Sequence, residues 1–330
     1  MGRLPEITPA RFRSAAWAGL VLLTLIVFTG AAVRLTGSGL GCADWPRCTN
    51  THLAPPDQLH ALIEFSNRSL SGLVGVATVL IMAMAFLRRP LRRDLAVLAT
   101  LLPLGVVAQA VLGGYTVREK LAPGFVMSHF CLSMIILIAA VALVWRSYHP
   151  AGSRPRASSR ALVWTVRSAV VLGGATIFAG TVSTAAGPHS GAHVGQHVKR
   201  LHFKGAETLE WAVHQHATVG ILFGLAVIGA WLLKRREFGT LEPTEPLTVL
   251  GVLIAAQGLV GSVQYEMKLP AEMVWVHVAL ATITWVVALW AWADTGGTRR
   301  RGERSGGPDQ FSADEPLGDP QQRTIEVAQI

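Results

Sequence analysis

Eight long apolar runs alternate with short polar segments along the chain. They cover roughly residues 16–33, 60–87, 95–114, 123–145, 163–186, 210–233, 246–265 and 271–293. About 20 apolar residues of helix span a bilayer. Lipid offers no partner to a bare backbone, so runs of this length must be helical. The pattern predicts an all-α polytopic membrane protein of eight transmembrane helices. Glycines at 37, 39 and 41 interrupt the pattern after the first run, and Gly187 and Gly191 do so after the fifth.

The pattern also repeats. AQAVLGGYTVREKLAPGFVMSHF begins at Ala108, and AQGLVGSVQYEMKLPAEMVWVHV begins at Ala256. Gln109 to His129 and Gln257 to His277 have the same length, so a shift of 148 superposes them. Phe28 and Phe178 lie 150 apart in FTGAAV and FAGTVS. The eight helices therefore divide into two four-helix bundles. Four spans return the chain to its starting side, which makes the repeat parallel. The expected organisation is a cytoplasmic tail (1–14), an N-terminal four-helix half (15–146), a cytoplasmic linker (147–162), a C-terminal four-helix half (163–293) and a polar tail (294–330). The tail is too poor in apolar residues to bury a core, which predicts disorder.

Composition fits this picture. The chain is 51% hydrophobic and only 15% charged, with a mean hydropathy of +0.42. Its net charge of +9 follows the positive-inside pattern and gives no reason to expect nucleic-acid binding. Most Lys and Arg fall in the N-terminal tail, the 2–3, 4–5 and 6–7 loops and the C-terminal tail, with RRPLRR from Arg88 and KRR from Lys234 as the strongest anchors. Both termini are thus expected on the cytoplasmic side. The first run follows Arg11 and Arg13 like a signal sequence, but no small-residue cleavage site closes it, so it is expected to stay as an anchor.

Of the three cysteines, Cys42 and Cys48 fall in the first outer loop. A disulfide is favoured there in an oxidising compartment, with free thiols or redox chemistry as alternatives. Cys131 lies alone in the fourth run and reads as a small core residue.

The chemistry points to histidine. Among eleven His, His60, His129, His214, His216 and His277 fall near the outer ends of the even-numbered helices. Ionisable groups inside a membrane are costly and are usually functional. Imidazoles facing one another across a bundle suit the axial positions of haem iron. Zinc or copper would want a tighter cluster, often with thiolate or carboxylate. His216 and His277 form the expected pair, and His214 points to the other side of its helix. In the first half the counterpart of His216 is Asn67 or Arg68. His129 remains, and helix 2 adds His60, Glu64 and Arg68. Glu64 is a carboxylate within a span. It is either ion-paired with Arg68 or Arg34, or kept beside a bound group to move protons.

The segments VRLTGSGLGCADWPRC and IEFSNR, with His129, His216 and His277, resemble the haem A synthase family across about residues 15–293. The resemblance implies a bacterial inner-membrane oxidoreductase that converts the C8 methyl of haem O to a formyl group for cytochrome oxidase. It implies a resident haem b on His216 and His277, and substrate haem O in the first half near His129, His60, Asn67 and Arg34. Glu64 and Arg68 would be catalytic, and both haem sites would lie toward the outer face. The family's Glu-x-x-His-Arg is here Glu64, Asn67, Arg68, so the histidine is missing. The family's second Cys pair is also missing, and the third outer loop carries His189, His193, His197 and His202 instead. They read as a solvated polar loop rather than a metal site. Expected partners are the lipid bilayer, a membrane electron acceptor and, by pathway, the haem O synthase. Two other readings stay open on the residues alone: an electron-transfer cytochrome b, and a haem transporter or chaperone.

Overall fold

A computed structural model describes residues 6–49, 58–152 and 159–296. The expected tail from 297 onward and the middle of the 147–162 linker lie outside the described residues. Among these residues the regular structure is all helical apart from one isolated bridge. The helices are α1 (Pro9–Leu35), α2 (Leu59–Leu87), α3 (Arg93–Arg118), α4 (Pro123–Tyr148), α5 (Arg160–Ala186), α6 (Thr208–Phe238), α7 (Pro246–Glu266) and α8 (Ala271–Thr295). All eight are long and apolar enough to cross a membrane. This is a multi-pass membrane protein.

Local chemistry sets the helix ends. The Arg11 N–H donates to Thr8 Oγ1, and Pro9 opens α1. That start is several residues earlier than the apolar pattern suggests, because capping extends a helix beyond its membrane-buried part. The Leu162 N–H donates to Ser159 Oγ at α5. The Glu245 carboxylate accepts from the Leu247 and Thr248 N–H groups at α7.

Each half is a closed ring. α1 packs on α2 and α4, and α3 packs on both; α5 packs on α6 and α8, and α7 packs on both. The halves meet through α4 with α8, α1 with α8 and α4 with α5. Exchanging the halves maps this set of packed pairs onto itself. Lipid removes most of the hydrophobic drive for association, so close packing holds such a bundle together. Gly19 admits Ile81, Gly105 admits Ile136, and Gly173 admits Phe223. Three indoles bridge the halves: Trp285 Nε1 donates to the Met134 carbonyl at 3.0 Å, Trp275 Nε1 to the Phe28 carbonyl at 3.0 Å, and Trp145 Nε1 to Asp294 Oδ1 at 2.6 Å.

The turns before α4 and α8 are alike. Lys120 and Leu121 have φ of 50° and 57°, and Lys268 and Leu269 have 63° and 62°. Left-handed backbone at a non-glycine residue costs roughly 1–2 kcal/mol. In both turns the Leu N–H donates five residues back, to the Thr116 carbonyl at 2.8 Å and to the Gln264 carbonyl at 2.7 Å. The turns set matching entries, so His129 and His277 each fall six positions beyond the first residue of their helices (123 to 129 and 271 to 277).

Candidate haem and substrate site

In the second half, His216 on α6 and His277 on α8 face each other. Their ring centroids are 6.0 Å apart and the planes are inclined at 72°. His216 Nδ1 donates to the Thr176 carbonyl at 2.9 Å. A carbonyl can only accept, so this bond fixes the tautomer and leaves Nε2 with a free lone pair. His277 Nδ1 is buried without a partner. Glycine backs both rings. A Cβ on Gly180 would come 3.1 Å from His216 Cε1, and one on Gly261 would come 3.2 Å from His277 Cε1. The side chains therefore sit in cradles that no larger residue would leave open. A metal–imidazole bond is about 2 Å long, and the ring centre lies roughly 1 Å beyond its nitrogen. Two axial imidazoles on one iron thus need a separation of about 6 Å, so the pair fits the two axial positions of a haem. His214 is exposed, with Nδ1 against the Glu210 carbonyl, and points away from His277 as the spacing requires.

The first half repeats only part of this. His129 also has a buried, unpartnered Nδ1, and a Cβ on Gly113 would come 3.4 Å from its Cε1. Gln109 Nε2 donates to the His129 carbonyl at 2.9 Å and to Ser133 Oγ at 2.5 Å, steadying that turn of α4. The buried Asn67 Oδ1 has no partner. Asn67 is eight positions beyond the first residue of α2, as His216 is in α6 (59 to 67 and 208 to 216).

Glu64 is only 5% exposed and is fully engaged. Oε2 accepts the Cys42 N–H at 2.8 Å, and Oε1 accepts Arg68 Nη2 at 2.6 Å. Arg68 Nη1 also donates to the Asp44 carbonyl at 2.8 Å and the Arg47 carbonyl at 3.3 Å. The carboxylate thus anchors the α1–α2 loop to α2. Cys42 and Cys48 close that loop with a disulfide, as the sequence favoured over free thiols. Gly41 lies so close to α2 that a Cβ there would be 2.3 Å from the His60 carbonyl oxygen. Only glycine lets the loop lie on the helix this closely.

His60 and Arg34 have other engagements. His60 Nδ1 bonds Ser38 Oγ at 2.9 Å, and its ring stands edge-on to His193 at 5.1 Å, beside a cavity of about 450 Å³. Arg34 reaches the second half and not Glu64: its Nε donates to the His189 carbonyl at 3.0 Å and its Nη2 to the Thr184 carbonyl at 3.2 Å. Arg200 donates to the same Thr184 carbonyl at 3.0 Å, and burial holds its guanidinium below its ordinary pKa. The Gly39 N–H donates to the Gly191 carbonyl at 2.7 Å, so the α1–α2 and α5–α6 loops are joined. His189 Nε2 lies 2.7 Å from the Leu269 carbonyl. Among the described residues no cluster of three or more His, Cys, Asp or Glu could hold a metal ion.

Sequence reasoning missed the Thr176 carbonyl and the Gly113, Gly180 and Gly261 cradles. The repeat carried part of that signal, since Gly113 and Gly261 each follow the aligned Gln by four residues.

Residues 13–189 match the model of a family described as cytochrome oxidase assembly protein. The chain is 29% identical over 136 residues to a heme A synthase of Halalkalibacterium halodurans, covering 41% of this chain and 46% of that protein. It is 30% identical over 129 residues to a heme A synthase of Lysinibacillus sphaericus, covering 39% and 42%. It is 29% identical over 303 residues to a protoheme IX farnesyltransferase of Thermus thermophilus, covering 85% of this chain and 48% of that protein. The chain spans less than half the length of these curated relatives.

Proposed function

The chain belongs to the cytochrome oxidase assembly protein family, and on that premise we propose that it acts as a haem A synthase, oxidising the C8 methyl of haem O to a formyl group. The observation that carries this reading is the facing pair of His216 and His277 at 6.0 Å, in a fold whose other half keeps one imidazole and adds a buried carboxylate. A pure electron carrier has no need for that inequality.

His216 and His277 hold haem b, with the Thr176 carbonyl orienting the first ring. When bound, haem b supplies one-electron redox chemistry. His129 receives the substrate, haem O, between α2 and α4. Glu64 is the base that takes protons as two water molecules hydroxylate the methyl in two successive two-electron oxidations, and the diol then loses one water to leave the formyl group. Arg68 holds Glu64 in place through two N–H donors at 2.6 and 3.2 Å. Electrons leave to an acceptor in the membrane.

Both termini lie in the bacterial cytoplasm and the haem sites toward the outer face. The Ile7 backbone pairs with the Leu87–Arg89 segment, which puts the N-terminal segment beside the strongest basic run. The enzyme that farnesylates protohaem is the natural supplier of the substrate. The Thermus thermophilus protein of that name aligns with most of this chain over 48% of its own length, which supports coupling of the two steps.

The test is expression in cells that supply haem O but make no haem A, followed by pigment extraction and mass detection. Haem A beside haem b is the expected result. Haem b alone, with haem O unchanged, would overturn the reading in favour of an electron or haem carrier.

A further inference from the structure

Each half carries a cavity at the same end of the bundle. The one of about 450 Å³ is lined in part by Thr36, Gly37 and His60, and a second, of about 540 Å³, by Ala186, Gly187 and Leu209. Thr36 and Gly37 match Ala186 and Gly187 at a shift of 150, and His60 and Leu209 are each the second residue of their helices. The remaining walls differ. His193 helps to close the first cavity, whereas Arg200, Lys268 and Tyr265 help to close the second. The second is firmly tied. Arg200 Nη2 donates to the Thr184 carbonyl at 3.0 Å, the Leu201 N–H donates to the Ala185 carbonyl at 3.3 Å, and His189 Nε2 lies 2.7 Å from the Leu269 carbonyl. The left-handed Lys268–Leu269 turn places Lys268 on the wall. None of the lining residues is acidic, and neither Arg200 nor Lys268 forms an ion pair among the described residues. Arg34 adds a third charge, since it holds the same Thr184 carbonyl as Arg200.

Like charges gathered without a carboxylate repel one another, and an anion between them offsets that repulsion. Arg and Lys both bind phosphate, Arg through a fork of N–H donors and Lys as a point charge. The cavity lies where α5 and α7 end and α6 and α8 begin, so in a spanning bundle it sits at the level of the lipid headgroups. Tyrosine, here Tyr265, is enriched at that level. We propose that the second cavity is a phosphate site, in which Arg200 and Lys268 bind the phosphodiester of an anionic membrane lipid. A zwitterionic lipid has the same phosphate but brings an ammonium group against the same cations, so it binds less tightly. Binding is reversible and needs no haem in either half.

The test uses the full chain, purified in detergent and titrated with phosphatidylglycerol, phosphatidylcholine or inorganic phosphate. Bound ligand is counted by native mass spectrometry. One tightly held phosphatidylglycerol per chain is expected, preferred over phosphatidylcholine and not displaced by inorganic phosphate. A basic residue at a membrane surface contributes about fivefold in affinity for an anionic lipid. Arg200→Gln and Lys268→Asn should each weaken phosphatidylglycerol binding by about that factor, and Lys268→Arg should keep it. Asparagine tolerates left-handed backbone, so Lys268→Asn should leave the turn intact. Equal retention of the two lipids would overturn the anionic site. Displacement of the lipid by inorganic phosphate would overturn the lipid assignment. Binding to the haem-free chain that disappears on loading with haem b would give the two cations to a haem carboxylate and overturn the proposal as well. The wild-type comparison of the probes decides between these outcomes, whatever the variants' folding.

Discussion

The second half of the bundle and the first place matching residues at the same helix positions and surround them differently. In the second, His216 and His277 stand 6.0 Å apart, each ring backed by glycine, with no carboxylate among the polar contacts of either ring. In the first, His129 keeps its place, Asn67 stands where His216 would, and Glu64 and Arg68 tie α2 to the disulfide loop. Two paired imidazoles saturate an iron and suit it to electron transfer. On the proposed function, a single imidazole in the first half would leave room for chemistry on what is bound. The shared register would then serve a cofactor in one half and a substrate in the other.

The largest expected effect comes from breaking the paired half. His216→Ala or His277→Ala should lower haem b content at least tenfold and abolish haem A formation, read by pyridine extraction and pigment chromatography. Full haem b content in both variants would move the cofactor elsewhere. Next in size is Glu64→Gln. It should leave haem b bound and lower haem A yield at least about a hundredfold, the lower end for a lost general base. The amide oxygen can still accept the Cys42 N–H, so the loop should stay closed. Normal haem A yield would make Glu64 an anchor for the loop and nothing more. Cys48→Ser comes third. Opening so short a loop costs about 2 kcal/mol, so the thermal midpoint should fall, and dithiothreitol should destabilise the parent but not the variant. Equal sensitivity to reductant in both would remove the disulfide from the first half's stability.

The parts of this comparison that depend on spacing along the chain were legible in the sequence. The eight spans, the Gln-to-His repeat and the choice of His216 over His214 all follow from helical or repeat periodicity. What escaped depends on how loops fold back. Nothing in IEFSNR says that Glu64 accepts the Cys42 N–H, because that bond needs the loop to turn at Gly41 against the first turn of α2. Arg34 looked like a partner for Glu64 and instead donates to carbonyls about 150 residues away, at the end of α5 and in the loop after it. His60 looked like a spare axial ligand, yet Ser38 and His193 hold it at the loop junction. Side chains whose partners are backbone atoms of a distant loop leave no periodic trace.

The smallest expected effect is the most selective, because it makes the same substitution in both halves. In Gly180→Ala the new methyl would lie 3.1 Å from His216 Cε1 and 3.3 Å from Nδ1. The ring must shift by a few tenths of an ångström, against its bond to the Thr176 carbonyl. Overpacking of this kind costs roughly 1 kcal/mol or more. In Gly30→Ala the methyl meets nothing, and alanine in place of helical glycine stabilises by roughly 0.5–1 kcal/mol. The two variants should therefore move the thermal midpoint in opposite directions. Only Gly180→Ala should loosen haem b, seen as faster loss of its absorbance during dialysis against apomyoglobin. If both variants shed haem b at the parent rate and shift the midpoint alike, Gly180 does not cradle His216, and its contrast with Gly30 fails at its structural root.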